Sequence, residues 1–168
     1  MDTFETVRTV LAVRAYRDKP IPAEVIRRIV ESAWLTASSR NGQPWHFIVV
    51  EDREMLNKLG ALARTGTYIA QSPLAIVVAM GQSPYAVSDA SRAIQSMILT
   101  AWSEGVGSNW VGFNNLEWCR PLLGIPAGVD VLAIVPFGYP VRSLGRGRKN
   151  RKPLADVAYR ERFGEPFA

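Results

Sequence analysis

Reactive and metal-binding side chains are scarce in this sequence. Cys119 is the only cysteine and His46 the only histidine among 168 residues. One cysteine cannot form a disulfide within the chain, and one histidine excludes multi-histidine metal sites and the zinc-finger spacings. These absences favour an intracellular protein, and we expect no metal site.

Long hydrophobic runs are also missing. The longest uninterrupted runs cover residues 74–80 and 131–137, whereas a membrane-spanning helix needs roughly 20 apolar residues. The N-terminus reads Met-Asp-Thr-Phe-Glu and lacks the basic and apolar regions of a signal peptide. We therefore expect a soluble, cytoplasmic protein without a membrane partner.

The overall composition is that of an ordinary globular protein. Apolar residues make up 48% of the chain and charged residues 21%. No internal repeat or linker divides the sequence. A chain of this length with this composition predicts a single domain over residues 1–168.

Positive charge is concentrated near the C-terminus. Residues 142–162 carry eight basic and two acidic side chains, and the remainder carries 12 basic and 13 acidic ones. Such a segment can bind an anion, stay solvated or contact nucleic acid. Because Tyr159 is its only aromatic residue and no docking motif is present, we expect no nucleic-acid partner. We interpret residues 142–168 as an extended basic tail that lies along a partner subunit.

Helical and strand patterns alternate along the chain. The predicted helices cover residues 2–11, 22–34, 55–62 and 88–104, and the predicted strands cover residues 47–50, 74–80, 109–112 and 129–137. Strands separated by helices, with more helix than strand, favour an α+β fold in which helices flank a central sheet.

The stretch Ser-Ser-Arg-Asn-Gly-Gln-Pro-Trp at residues 38–45 is the most unusual in the chain. Its hydroxyl, amide and guanidinium groups could hydrogen-bond the edge of a planar heterocycle, or they could satisfy the backbone of a helix-ending loop. Common phosphate-binding fingerprints are absent. Trp110 stands where a Gly-x-Gly-x-x-Gly motif from Gly105 needs its last glycine, and no Walker A pattern occurs.

Several segments, in order, resemble the nitroreductase family of flavoproteins. They read VRAYRDKPIP, TASSRNGQPWHFIVV, GVGSNWVGF, FGYP and KNRKPL. The resemblance covers nearly the whole chain. It implies a layered fold with a mostly antiparallel central sheet, a C-terminal tail extending onto the partner subunit, and a homodimer that binds FMN at its interface.

The same resemblance implies an FMN-dependent NAD(P)H oxidoreductase. A nicotinamide donor would reduce the flavin and leave, and a nitroaromatic, quinone or similar electron-poor acceptor would then be reduced in the same cavity by ping-pong hydride transfer. Because the flavin carries the chemistry, no protein side chain is assigned as catalytic.

The matching motifs imply which residues hold the cofactor. Arg14 corresponds to the basic residue near the pyrimidine edge of the flavin, and Lys149 and Arg151 to the pair at its phosphate. The segment around Ser38 contacts the flavin partly across the dimer. The implied cofactor-binding residues are Arg14, Ser38, Ser39, Asn41, Gln43, Trp110, Val111, Gly112, Lys149 and Arg151, and Tyr68 and Phe113 are candidates for the substrate cavity.

One segment departs from the family pattern. Val10-Leu11-Ala12 stands where the family commonly has Arg-Arg-Ser or Arg-His-Ser. Two cations and a hydroxyl that would hold phosphate are therefore missing. This departure supports a second hypothesis, in which the protein binds flavin or a deazaflavin with weak or no nitroreductase turnover.

Overall fold

The computed structural model describes residues 1–112, 115–142, 144 and 149–167. Within these residues the chain forms five α-helices and four β-strands. The helices are α1 (Thr3–Thr9), α2 (Ala23–Trp34), α3 (Arg53–Leu62), α4 (Ala86–Ser103) and α5 (Cys119–Leu123), and the strands are β1 (Trp45–Val50), β2 (Leu74–Met80), β3 (Gly107–Ser108) and β4 (Asp130–Gly138).

The four strands form one antiparallel sheet in the order β1-β2-β4-β3. Trp45 pairs with Met80, and Leu74 pairs with Phe137. One end of the sheet therefore holds the start of β1, the end of β2 and the start of β4. The other end holds the start of β2, the end of β4 and β3. The α+β fold with an antiparallel central sheet, expected from the sequence, is confirmed.

Strand β2 forms the centre of two hydrophobic cores because its side chains alternate between the faces of the sheet. Ile76 and Val78 pack on the face covered by α2 and α4. Ala75 and Val77 belong to the second core, which also contains Leu56 and other residues of α3. Six of the seven residues of β2 are buried, so the strand is a rigid element against which both layers are positioned.

The long helix α4 packs along α2 and lies beside the sheet. The apolar stripe predicted for this helix is buried, including Ala93, Ile94, Met97 and Ala101. At the C-terminal end of the helix, Trp102 Nε1 donates to Thr9 Oγ1 at 3.0 Å and connects α4 to the end of α1.

After α1, the chain runs as an extended segment along the edge of the sheet. The Val13 amide donates to the Ser108 carbonyl at 2.8 Å, and the Arg17 amide donates to the Tyr139 carbonyl at 2.8 Å. Val13 packs where a side chain on Gly107 would overlap with it, and Tyr16 packs in the same way against Gly138. The segment can therefore lie against the sheet only because these two sheet positions are glycines.

Three local expectations differ from the structure. Helix α1 ends at Thr9 rather than Leu11, because the chain then turns to pair with Ser108. The strand predicted at residues 109–112 is displaced to Gly107–Ser108, and only Val111 continues the pairing, with Ile134. Trp34, whose position at the end of the apolar stripe of the predicted helix 22–34 predicts burial, is instead 60% exposed as the last residue of α2.

The C-terminal residues 149–167 contain a single 3-10 turn, Leu154–Asp156, and one isolated bridge between Tyr159 and Pro166. Phe163 is 90% exposed, and Leu154, Val157 and Phe167 are also exposed. Among the described helices, none is both long and apolar enough to span a membrane.

We predict that Gly107→Ala lowers the free energy of unfolding by about 1–3 kcal/mol, because the new methyl group would overlap with buried Val13. Urea unfolding at equilibrium measures this loss. Gly81→Ala is the matched control. The atom nearest to a Cβ at Gly81 is the Pro44 carbonyl oxygen at 3.8 Å, so we expect a change within about 0.5 kcal/mol. Equal losses in the two variants would contradict this account of the edge segment.

Candidate functional site

The polar loop between α2 and β1 has a strained backbone. Arg40, Asn41 and Gln43 have φ angles of 54°, 55° and 44°, in the left-handed region that residues with a side chain rarely adopt. Local hydrogen bonds support the conformation: the Gln43 amide donates to Ser38 Oγ at 3.0 Å, and Gln43 Nε2 donates to the Asn41 carbonyl at 3.2 Å. Strain of this kind is retained where surrounding contacts fix it, and it is common at binding sites.

Asp89 of α4 anchors this loop. Its carboxylate accepts hydrogen bonds from the Ser39 amide and the Ser39 hydroxyl, both at 3.0 Å, and it forms an ion pair with Arg92. Asp89 is only 1% exposed. The sequence analysis missed this residue. A signal was present, because Asp89 lies four and eight positions before buried Ala93 and Met97, on the apolar side of the helix.

The surroundings of Asp89 favour its charged form. Burial by itself raises the pKa of a carboxyl group, but the hydrogen bonds from Ser39 and the ion pair with Arg92 outweigh this effect and lower the pKa of Asp89 below its ordinary value. The carboxylate therefore remains ionised at neutral pH, where it can hold Ser39 on one side and Arg92 on the other.

A second group of candidate residues surrounds a hollow at the other end of the sheet. Residues 12–15 form one wall, and Pro140, Val141, Arg142 and Leu144 form the other, enclosing about 470 Å³. Arg14 is exposed at this hollow. The walls are joined by the Val141 amide, which donates to the Ala15 carbonyl at 3.2 Å. This volume lies within the range of small-molecule sites in proteins.

Lys149 lies against α1, at the same end of the molecule, and Arg151 follows it two residues later. Lys149 Nζ donates to the Val7 carbonyl at 2.5 Å. Partial burial and the nearby positive charge of Arg151 lower the pKa of Lys149. Arg8 of the same helix is held in an ion pair with Glu5. The two cations predicted at a phosphate are thus neighbours of each other.

The predicted segment Trp110, Val111 and Gly112 runs beside the middle of β4. Val111 is buried in the second core, while Trp110 packs against the first. Gly112 has no room for a side chain, because a Cβ there would overlap with the Trp110 ring and the Leu132 carbonyl. Just before this segment, Asn109 Nδ2 donates to the Tyr68 hydroxyl. Phe113, the other candidate for a substrate cavity, lies outside the described residues.

Tyr16 lies between these groups. Its hydroxyl donates to the Val13 carbonyl at 2.7 Å. Burial raises the pKa of Tyr16, nearby Tyr68 raises it further, and nearby Arg14 lowers it. Sequence analysis identified Tyr68 and Arg14 as candidate site residues but did not identify Tyr16. Asn109 was also missed as a site residue, since sequence analysis placed it at the start of a predicted strand.

The remaining reactive residues take no part in either group. Burial raises the pKa of Cys119 to about 12, so its thiol remains protonated at neutral pH. His46 is exposed on β1. Over the part of the chain that the structure describes, no three His, Cys, Asp or Glu side chains gather as metal ligands.

One chain does not bring all of the predicted residues together. The loop of residues 38–44 is fixed at the end of β2, where the Gly81 amide donates to the Pro44 carbonyl at 2.7 Å. Arg14 and its hollow lie beyond the end of β4 at Gly138. On α4, Asp89 contacts the loop, and Trp102 contacts the end of α1, which leads into the hollow. About 20 Å of helix separates Asp89 from Trp102. Ser38, Ser39, Asn41 and Gln43 thus lie far from Arg14, Lys149 and Arg151.

The layered α+β fold is shared with nitroreductases of known structure. A model of the nitroreductase family matches residues 8–79 and 67–139, and the chain belongs to this family. Its relatives are named as NAD(P)H and FMN-dependent reductases, so the family is one of oxidoreductases.

Three relatives illustrate the similarity. A protein of Methanothermobacter thermautotrophicus, provisionally named NADH dehydrogenase/NAD(P)H nitroreductase, is 35% identical over 154 residues, which cover 86% of this chain and 81% of the relative. An FMN-dependent nitroreductase of Clostridium difficile R20291 superposes with a TM-score of 0.86 at 26% identity, covering 95% and 99% of the two chains. A provisionally named nitroreductase of Desulfovibrio desulfuricans, solved in complex with FMN, gives a TM-score of 0.84 at 26% identity, covering 97% and 98%.

We predict that Asp89→Asn lowers the free energy of unfolding by about 1–3 kcal/mol at pH 7, because an amide cannot accept both Ser39 hydrogen bonds and pair with Arg92. The folded state lowers the pKa of Asp89, so its charge stabilises the fold above the unfolded pKa of about 3.9 and loses this effect as the pH falls through the folded value. The difference between wild type and variant should therefore shrink at acidic pH.

Urea unfolding of both proteins at pH 7 and at pH 3 measures these differences. The control is Glu54→Gln, which removes an exposed carboxylate paired with Lys58 and should change stability by less than about 1 kcal/mol. A loss in Asp89→Asn that stays the same at both pH values would argue against an ionic role for Asp89.

Proposed function

We propose that the protein, as a single domain over residues 1–168, is a homodimeric FMN-dependent NAD(P)H oxidoreductase of the nitroreductase type. Its acceptors would be nitroaromatics, quinones or similar electron-poor compounds. The observation that carries this proposal is the hollow of about 470 Å³ beside Arg14, which lies at the same end of the molecule as Lys149 and Arg151.

The chemistry of the donor groups fits FMN. Arg14, Lys149 and Arg151 supply positive charge for a ligand with an anionic tail, and charge-assisted hydrogen bonds to phosphate are among the strongest in proteins. Residues 38–43 supply hydroxyl and amide groups of the kind that bind the polar edge of a ring and its sugar-like chain. Trp110, which is only partly buried, would add apolar surface to the site.

The protein side chains would bind and orient the cofactor rather than exchange protons with a substrate. Bound FMN supplies the hydride-transfer chemistry. Arg14 would place a fixed positive charge at the hollow, where it stabilises negative charge that develops in a bound ring. The rigid pairing of residues 12–17 with Ser108 and Tyr139 would hold Arg14 in position. This division of roles agrees with a buried, protonated Cys119 and an exposed His46.

A homodimer would bring the two separated groups together. Since the loop of residues 38–44 and the hollow lie at opposite ends of one sheet, a complete site would take the loop of one chain and the hollow of its partner. The single chain also exposes large apolar side chains that a partner subunit would bury. They are Phe4, Trp34, Leu35, Leu154, Val157, Phe163 and Phe167. Exposed apolar groups of this size commonly mark protein interfaces, and the tail would lie along the partner.

One observation favours the second candidate, a flavin- or deazaflavin-binding protein with little turnover. Ala12 is exposed and lines the hollow, yet it offers no hydroxyl group. Val10 and Leu11 supply no cation, and Arg8 is engaged by Glu5. This wall of the hollow would suit a ligand whose anionic group binds at another part of the protein. This candidate predicts a bound ligand that nicotinamide donors do not reduce.

We predict that the purified protein binds FMN to give a yellow complex that NADPH or NADH bleaches without oxygen. Arg14→Ala should weaken FMN binding by about tenfold, because one charge-assisted contact of roughly 1.4 kcal/mol is removed. Titration of FMN fluorescence with the apoprotein measures the affinity, and absorbance at visible wavelengths measures the bleaching.

Arg120→Gln is the control for this measurement. Arg120 is a cation of α5 that pairs with Glu117 and is remote from the hollow, so its loss should leave FMN affinity unchanged. If FMN binds but neither nicotinamide donor reduces it, the result would contradict the proposed oxidoreductase activity and favour the second candidate. An apoprotein that binds no FMN would contradict the proposal as a whole.

A further inference from the structure

A cleft lined by positive side chains lies next to the hollow at Arg14. Arg17, Lys19 and Arg142, together with Gly105, Tyr139 and Pro140, surround about 290 Å³. Pro140 and Arg142 line both spaces, so the cleft and the hollow adjoin. None of the residues that line the cleft is acidic.

Local contacts hold two of these cations in place. Lys19 Nζ lies 4.2 Å from the centre of the Tyr139 ring, within the range of a cation–π interaction. Arg17 Nε donates to the Pro140 carbonyl at 2.9 Å. The backbone beneath them is paired, since the Arg17 amide donates to the Tyr139 carbonyl at 2.8 Å. The positive groups are therefore presented from a rigid wall rather than from a free loop.

The charges in this wall are not neutralised by the protein. Among the described residues, no carboxylate lies within ion-pair distance of Arg14, Arg17, Lys19 or Arg142. Two acidic residues adjoin the cleft in sequence, and one of them, Glu104, is already paired with Arg28. Asp18 is exposed and does not line the cleft. Several like charges in one concave surface produce a positive potential that attracts anions.

The chemical types of the cations suit phosphate groups. Guanidinium and ammonium groups both bind phosphate, and a guanidinium can do so with two parallel hydrogen bonds. Lys149, against α1, and Arg151 form a separate pair of cations for the anionic tail of a flavin. The cleft is then left for a second phosphate-bearing ligand that enters the adjoining hollow.

We propose that Arg17, Lys19 and Arg142 bind the phosphate groups of the nicotinamide dinucleotide, and that the cleft selects NADPH over NADH through the 2′-phosphate of its adenosine. This inference rests on the proposed function, in which a nicotinamide dinucleotide is the electron donor. The 2′-phosphate adds a dianion to an otherwise identical ligand. A preference of the protein for the ligand that carries this group therefore reports positive charge in the cleft.

Isothermal titration calorimetry with two probes tests the inference without catalytic turnover. Adenosine 2′,5′-bisphosphate and adenosine 5′-monophosphate differ only in the 2′-phosphate. We expect wild-type protein to bind the bisphosphate about tenfold more tightly, and the variant Arg17→Gln/Lys19→Gln to lose this preference. Arg27→Gln/Lys58→Gln, which removes two exposed cations of α2 and α3, is the charge-matched control and should keep it. The same preference should appear as a lower KM for NADPH than for NADH.

FMN and riboflavin affinities measured on the same proteins separate the possible results. Equal binding of the two adenosine probes, with FMN bound normally, would overturn the proposed role of the cleft while leaving the proposed function intact. A double variant that loses its preference for FMN over riboflavin but keeps its preference for the bisphosphate would assign the cleft to the flavin phosphate and would also overturn the inference. A bisphosphate preference that depends on Arg17 and Lys19 would support it, even if FMN binding failed.

Discussion

The buried antiparallel pairing of β2 with β1 and β4 fixes the distance between the two groups of candidate residues. Strand β2 is covered on both faces and pairs along its length with both neighbours, with one register shift against β4 between Val78 and Ala79. The loop that precedes β1 and the edge segment beyond β4 therefore cannot approach each other within one chain, so the proposed shared site would need residues from two chains.

Each group is then fixed to the sheet by a different device. The loop of residues 38–44 is held through a buried carboxylate, Asp89, whose charge is offset by Ser39 and Arg92. The edge segment is held by backbone pairing and by the close approach of Val13 and Tyr16 to two glycines of the sheet. Both devices act on backbone position, so they place the polar and cationic side chains before any ligand is bound, which lowers the entropic cost of binding.

Much of the fold could be predicted from the sequence, because its signals are local. The apolar stripes of α2 and α4 and the continuous apolar runs of β2 and β4 lie in the elements that they predicted. The boundaries after α1 and around β3 were wrong, since they depend on a pairing between residues far apart in the chain, Val13 and Ser108. The α+β class and the antiparallel sheet are confirmed, whereas the roles of the individual site residues remain predictions.

The site was less accessible to sequence reasoning for the same reason. The loop containing Ser39 and Asn41 was identifiable from its composition, but its anchor, Asp89, lies 50 positions further along the chain. The cleft of Arg17, Lys19 and Arg142 joins two segments more than a hundred residues apart. Charge counting located the basic tail but not this cleft, because two of its three cations lie outside the tail.

Complementation between two defective variants tests most directly whether each site takes residues from both chains. Arg14→Ala alters the hollow, and Asn41→Asp alters the loop while keeping a residue that tolerates its left-handed backbone. If each site combines the hollow of one chain with the loop of the other, a dimer of one variant with the other contains one intact site. Random mixing by co-refolding should then restore tight FMN binding to roughly a quarter of all sites. Two variants that each bind FMN weakly, and whose mixture shows no recovery of tight binding, would contradict the account.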